Sequence, residues 1–390
     1  MNCTERFFLD VIKSFITSQE VKAPTEKIEL KELYDLAKRH SLQGVVYYVL
    51  NRQKLFNGEN LMEALLGDYE KTVSYMALRR TRGEILSMEL SGKHIPHIEF
   101  KGSAVADFYP IPELRTYSDV DMIIKNSDRE RLRSFMTDKG FKHSVADGGV
   151  VNCYAKGYEL YEMHTALNLP KSEEVLTENL WEHTVSHNGE AFRFEDNFHL
   201  AYLVSHMEKH MKSGGAGVKM YMDIALYVRN CENIDLDKVN AILAKAGLQK
   251  YFSTVLCLCH EWFDTFLPDF VTPIDDSLLE KLTNVTLTGG VYGDHTEEGV
   301  IESALTARVS SGRKGAKLRF ILSRIFPAKT ELWRLYPKFE GKPLLLPLAW
   351  LCHLGNFFTK GKFKKVKSIT HADVQEAQSR FDFLTDIGCK

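Results

Sequence analysis

The run DVDMII, residues 119–124, constrains this chain more than any other stretch. It is apolar and rich in β-branched side chains, which suits a strand, and strand alternation turns Asp119 and Asp121 to one face and Val120 and Met122 to the other. Two carboxylates side by side at a strand end repel each other. A fold containing this strand therefore has to bring positive charge to that face. The upstream run HIPHIEFKG (94–102) is a second short β-rich stretch, and it ends in Gly102-Ser103. The chain cannot be a plain helical bundle; it needs a small sheet with one charged face.

Around that sheet the pattern is helical. FFLDVIKSFI, LKELYDLAKRH and VVYYVLNRQ have helical spacing, and residues 63–90 form a long periodic run without proline. After DVDMII, the segment SDRERLRSFMTDKG is predicted as a helix with Ser127 at its N-cap and Gly140 at its end. Residues 141–167 carry turn signals at Asp147-Gly148-Gly149 and Lys156-Gly157 and are predicted as a β-meander. From about 171 helices are predicted to return, through FHLAYLVSHMEKHM, the turn SGGAG and VKMYMDIALYVRN. The fold class is thus α+β: a helical region over 1–93, a small mixed β-sheet domain over 94–170, and a helical region over 171–390.

Composition narrows the setting. A chain of 390 residues exceeds one compact core, and its net charge of −2 gives no overall basic excess of the kind a dedicated nucleic-acid binder shows. The seven cysteines are scattered, and Cys257 and Cys259 alone are close, in a spacing that is neither a metal nor a redox motif. The N-terminal stretch MNCTERFFLDVIKSF lacks the apolar core of a signal peptide, so a reducing cytoplasm is the expected compartment.

Paired carboxylates make chemical sense around Mg2+. Hard divalent ions take oxygen ligands and are held by one or two carboxylates together with substrate phosphates, and two such ions can clamp an in-line phosphoryl displacement. A third carboxylate is then expected from a neighbouring strand. In YELYEMHTAL, Glu162 shares a face with Leu160 and His164; Glu159 is the alternative if the register is reversed. The Gly102-Ser103 turn could cradle phosphates, with Lys101 and Arg115 beside it.

The order Gly-Ser, D-x-D and a later strand acid resembles the nucleotidyltransferase superfamily with a DNA-polymerase-β-like palm. The resemblance implies that Gly102 and Ser103 bind nucleotide phosphates and that Asp119, Asp121 and Glu162 hold two Mg2+ ions. The stretch from Ser103 to Asp119 is longer than in compact members and contains YPIPELR. In this, and in ELYEMHTAL, LVSHMEKH…VKMYMDIALYV and IFPAKTELWRLYP…KPLLLPLAWL, the chain is similar to the bacterial uncharacterised nucleotidyltransferase family, often described near surface-polysaccharide genes. The implied reaction is transfer of a nucleoside monophosphate from an NTP to an acceptor, a small molecule or sugar phosphate rather than nucleic acid. A toxin or antitoxin-type enzyme acting on RNA or protein, and a non-catalytic nucleotide-binding scaffold, fit the same residues.

Other residues carry weaker signals. Lys219 opens a helix and is a candidate for the nucleotide phosphates or a surface linker lysine. Asp223, one turn on, is a substrate contact or part of a buried polar network. His206 and His210, four apart, can face one way and are read as packed or substrate-facing rather than as a zinc pair. His164 is read as a core histidine, with orientation of Glu162 as the other role. The apolar stretch 344–358 is too short to span a bilayer. Followed by five lysines between Lys360 and Lys367, it is either a helix packed on the body or a peripheral contact with an anionic membrane.

Overall fold

The computed structural model describes residues 1–145, 150–169 and 171–291, and beyond them residues 306, 327, 332, 336, 345–359 and 374–389. The turn expected at Asp147-Gly149 and the lysine run 360–367 lie outside the described residues. Residues 1–211, 215–293 and 387–390 form one compact unit, and 212–214 with 294–386 form a second.

The first four helices are α1 (Cys3–Thr17), α2 (Leu30–Arg39), α3 (Gln43–Arg52) and α4 (Asn60–Gly92). Each follows the apolar spacing of its sequence. The α1 helix opens with a capping box, in which the Asn2 side chain accepts from the Glu5 backbone N–H and Glu5 returns the bond.

The sheet is mixed, and among the described residues it has seven strands: β1 (His97–Phe100), β2 (Asp119–Ile124), β3 (Lys142–Val145), β4 (Val151–Tyr154), β5 (Leu160–His164), β6 (Thr184–Asn188) and β7 (Ala191–Phe194). Their spatial order is β3-β4-β5-β2-β1-β7-β6. The β3-β4-β5 meander is as expected from its turn signals, with Gly157 at φ +84° in the second turn. Central strand β2 runs antiparallel to β1 and parallel to β5.

Two sequence expectations are corrected. Residues 184–194 are not helical: they form the β6–β7 hairpin, and β7 adds to the sheet parallel to β1. Its strands are short and β6 is largely exposed, so neither carries a period-2 apolar pattern long enough to stand out. The helix after β2, α6 (Arg129–Asp138), begins one residue later than a Ser127 cap would give. A 3-10 turn over Asn126–Asp128 precedes it and moves the N-cap to Asp128, which is held by Arg131 at 2.7 Å instead of capping the backbone.

Alternation along the strands decides which face is core. Val120, Met122 and Ile124 of β2, with Tyr161 and Met163 of β5, pack against Leu86 and Leu90 of α4 and Leu132 and Met136 of α6. These side chains are all but completely buried, and each contributes about 1.5–3 kcal/mol by leaving water. The opposite face carries Asp119, Asp121 and Glu162. The helix after β7, α7 (Asp196–Ser213), lies over that face: Tyr202 packs on Phe100 of β1, and Phe100 in turn on His164.

After α7 the turn SGGAG leads into α8 (Val218–Asn230), followed by α9 (Leu236–Ala246), α10 (Gln249–Phe263) and α11 (Asp276–Gly289). Glycine is required at Gly217, because a Cβ there would lie 2.3 Å from the carbonyl oxygen of Gly290. In the second unit, α12 (Leu346–Thr359) exposes Leu348 and Leu351, and α13 (Val374–Asp386) follows. Among the described residues no helix is long and apolar enough to cross a membrane.

Candidate active site

The parallel pairing of β2 with β5 sets Asp121 directly beside Glu162 and Asp119 beside Leu160. Glu162, not Glu159, is therefore the strand acid next to the aspartates. Glu159 points to the other side of β5, where it is buried, accepts from the Tyr161 hydroxyl and meets Arg82 at 3.5 Å.

The positive charge that the D-x-D pair demands comes from the residue before Gly102. Lys101 Nζ donates to Asp121 Oδ1 at 2.6 Å, and His164 Nε2 approaches the same oxygen at 2.8 Å and Glu162 Oε2 at 3.6 Å. Burial alone would raise the Asp121 carboxyl, but hydrogen bonds from His164 and the Lys101 charge hold it below the usual carboxylate range. Burial would likewise lower His164, yet its bonds to Asp121 and Glu162 hold it above the ordinary imidazole value. Asp119 has the opposite balance: burial, then the Asp121 and Glu162 charges, raise it. His164 is thus part of the site, aligning Asp121, and is more than a core histidine.

Lys101 has φ +60°, an uncommon backbone conformation for a residue with a side chain, costing of order 1–3 kcal/mol. It turns the chain sharply from β1 into the short helix α5 (Gly102–Val105) and aims the ammonium at Asp121. A Cβ on Gly102 would lie 2.7 Å from Arg115 Nη1 and 3.1 Å from Tyr117 Cβ, so a side chain there would displace the guanidinium. The Gly-Ser pair thereby lets a guanidinium pack against the turn. Ser103 faces the other way, onto Glu99, and does not line the cleft.

Arg115 is held by a carboxylate 108 residues away. Asp223 of α8 accepts from Arg115 Nε at 3.1 Å and Nη2 at 2.6 Å, and Tyr109 donates its hydroxyl to the same carboxylate at 2.6 Å. Asp223 is therefore the anchor of a buried network that ties the YPIPELR loop to α8. Lys219, one turn before it, is no surface linker lysine: it is buried and donates to the Thr116 carbonyl at 3.0 Å. Burial and the nearby Arg115 charge lower its pKa to about 7.

Together these residues floor a cleft of about 510 Å³ under α7 and α8, lined by Lys101, Gly102, Arg115, Asp119, Asp121 and Glu162. Lys219, His206 and His210 also line it. Sequence reasoning missed the Asp223–Arg115 pairing, Tyr109, and the cleft residues Tyr202, Asn168 and Lys209; none has a local spacing signal, because each reaches the site through tertiary packing.

The donor set suits a hard divalent cation. Ligand atoms of Asp121, Glu162 and His164 lie within 4.8 Å of one another, and Asp119 stands next to them with a charge that burial and its neighbours disfavour. A bound cation would relieve that repulsion. The Nε2 of His164, directed at two carboxylate oxygens, occupies a donor's position, so the oxygens are the fitting ligands.

Residues 26–264, more than half of the chain, match the family described as uncharacterised nucleotidyltransferase. The chain belongs to this family and its enzyme class is nucleotidyl transfer. No curated protein matches the chain. Among solved structures, the solution structure of the antibiotic-resistance factor ANT(2'')-Ia is similar at 13% identity, covering 43% of this chain and 90% of that one with a TM-score of 0.32. A likeness at that score supports no statement about this chain's chemistry.

Proposed function

We propose that the chain is a Mg2+-dependent enzyme that transfers a nucleoside monophosphate from an NTP to the hydroxyl of a small acceptor. The observation that carries this reading is the Asp121–Glu162 register beside Asp119, on the floor of a cleft whose wall bears Arg115 and Lys219. Mg2+ held by Asp119, Asp121 and Glu162, two ions in the full site, would supply charge neutralisation at the transferring phosphate.

The chain's own groups divide the remaining work. Arg115, whose Nε and Nη2 are fixed by Asp223 and whose Nη1 donates to the Thr116 carbonyl, lends its positive charge to the wall facing the phosphates, and Lys219 adds a donor from α8. Lys101 keeps Asp121 ionised and aligned until a cation arrives. Glu162 is placed to accept the acceptor's hydroxyl proton. The acceptor oxygen then bonds to the α-phosphorus, the bridge to the β-phosphate breaks, and its electron pair leaves on pyrophosphate. Positioning and electrostatics supply most of the rate, as in other phosphoryl transfers. Acceptors from surface-polysaccharide metabolism, which the family resemblance implies, carry hydroxyls of the required kind.

Pyrophosphate release from each of the four NTPs with Mg2+ tests the reading. Release with one or more NTPs, reduced by roughly 10²–10³-fold or more in Asp119→Asn/Asp121→Asn, is expected. Equal release by the variant would contradict it.

A further inference from the structure

The sheet order divides the cleft floor into two flanks. Central strand β2 carries Asp119 and Asp121, with β1 and the Gly102 turn on one side and β5, bearing Glu162, on the other. Arg115 packs against Gly102, and Lys219 bonds Thr116 next to it, so both belong to the β1 flank. A second group of donors comes from α7, and its Lys209 reaches the β5 flank. The loop after β5 reaches Asn168, whose carbonyl accepts from Lys209 Nζ at 3.0 Å. The same stretch of α7 brings His206 and His210 together, with their Nε2 atoms 3.1 Å apart. All four residues line the cleft.

The charge setting distinguishes an anion from a cation here. Burial disfavours protonated His206, and His210, Lys101, Lys209 and Arg115 all add to that effect. The Lys209 ammonium is disfavoured by burial and by Lys101, with Glu173 acting in the opposite sense. A metal ion between the histidines would meet repulsion from Lys209 and, weakened by their pairing with Asp121 and Asp223, from Lys101 and Arg115. An anion would be attracted by them, and imidazole N–H and ammonium groups are donors that phosphate oxygens accept.

Resting on the nucleotidyl-transfer reading, we infer that His206, Lys209 and His210 form a subsite for a phosphate group carried by the acceptor. The acceptor is then a phosphomonoester, such as a phosphorylated sugar or alcohol, with a free hydroxyl on the Glu162 side. Its phosphate is a handle that is unchanged in the reaction. The hydroxyl oxygen forms the bond to the α-phosphorus, its proton passes to Glu162, and pyrophosphate departs with the bridging electron pair.

The test titrates inorganic phosphate onto the full chain at constant ionic strength. The imidazole NMR resonances of His206 and His210 are followed, assigned through His206→Gln and His210→Gln. The titration is run on the free protein and on protein saturated with a non-hydrolysable NTP analogue and Mg2+. Saturable shifts that persist beside the analogue, and need at least tenfold more phosphate in Lys209→Met, are expected. Loss of the shifts when the analogue is bound would assign the subsite to the donor's phosphates and overturn the inference. Absence of saturable shifts, indifference to Lys209→Met, or saturable Zn2+ binding by the pair in place of phosphate would also overturn it. Should the analogue itself fail to bind, the nucleotide reading falls, and the free-protein titration still decides the subsite by the same criteria.

Discussion

At the residue scale the two glutamates of β5 separate structure from chemistry. Glu162→Gln removes a carboxylate from the cleft, so transfer activity is expected to fall by at least 10²-fold with little change in stability. Glu159→Gln alters a buried contact with Tyr161 and Arg82 on the opposite side, costing about 1–3 kcal/mol of stability while activity survives. Urea unfolding and a transfer assay on both variants check the pair. Asp223→Asn leaves the Arg115 guanidinium buried beside a neutral partner; a loss of about 3–5 kcal/mol is expected from breaking such a pair. Its KM for NTP should also rise, because Arg115 is no longer fixed. An unchanged KM would separate Arg115 from the nucleotide. The acids themselves were legible: strand alternation put Asp119 and Asp121 on one face, and the same rule left Glu162 and Glu159 as opposite choices. Only pairing with β2 decides between them. The Arg115–Asp223 bond was not legible, since nothing in a window of sequence links residues 108 positions apart.

At the element scale the helices were readable from their period and the hairpin at 184–194 was not. The α8 helix was found to the residue, from Val218 to Asn230, since its apolar spacing is continuous and a glycine turn precedes it. What places α8 over the sheet is invisible in its own sequence. His40, just past α2, accepts from the Val218 N–H through Nδ1 at 3.3 Å and directs Nε2 to the Leu287 carbonyl at 3.2 Å, linking α2, α8 and α11. That geometry requires a neutral ring, and burial lowers the His40 pKa to about 4. The unfolded chain protonates His40 near pH 6.5 and the folded chain does not, so this contribution is complete above pH 6.5 and is lost as pH falls toward 4. About 2 kcal/mol should disappear between pH 7 and pH 5. Urea midpoints at the two values, compared with His40→Gln, check this: the variant should lose the His40 share of the slope.

For the molecule as a whole, the sheet and the helices of the first unit converge on one cleft, and the central claim is that this cleft binds a nucleotide through the D-x-D strand. The sequence supported an α+β class with a small mixed sheet between helical regions, and that architecture is what the described residues adopt. Local pattern could not show that α7 crosses the charged face and roofs it, which depends on Phe100, Tyr202 and His164 packing across three elements. The most direct measurement is calorimetric titration of each NTP onto the full chain, with and without Mg2+, beside Asp119→Asn/Asp121→Asn. The expected result is Mg2+-dependent binding of at least one NTP that the variant loses while it still unfolds in a cooperative urea transition, which shows that it is folded. Absence of binding to the folded native chain, or equal binding by the variant, would contradict the account.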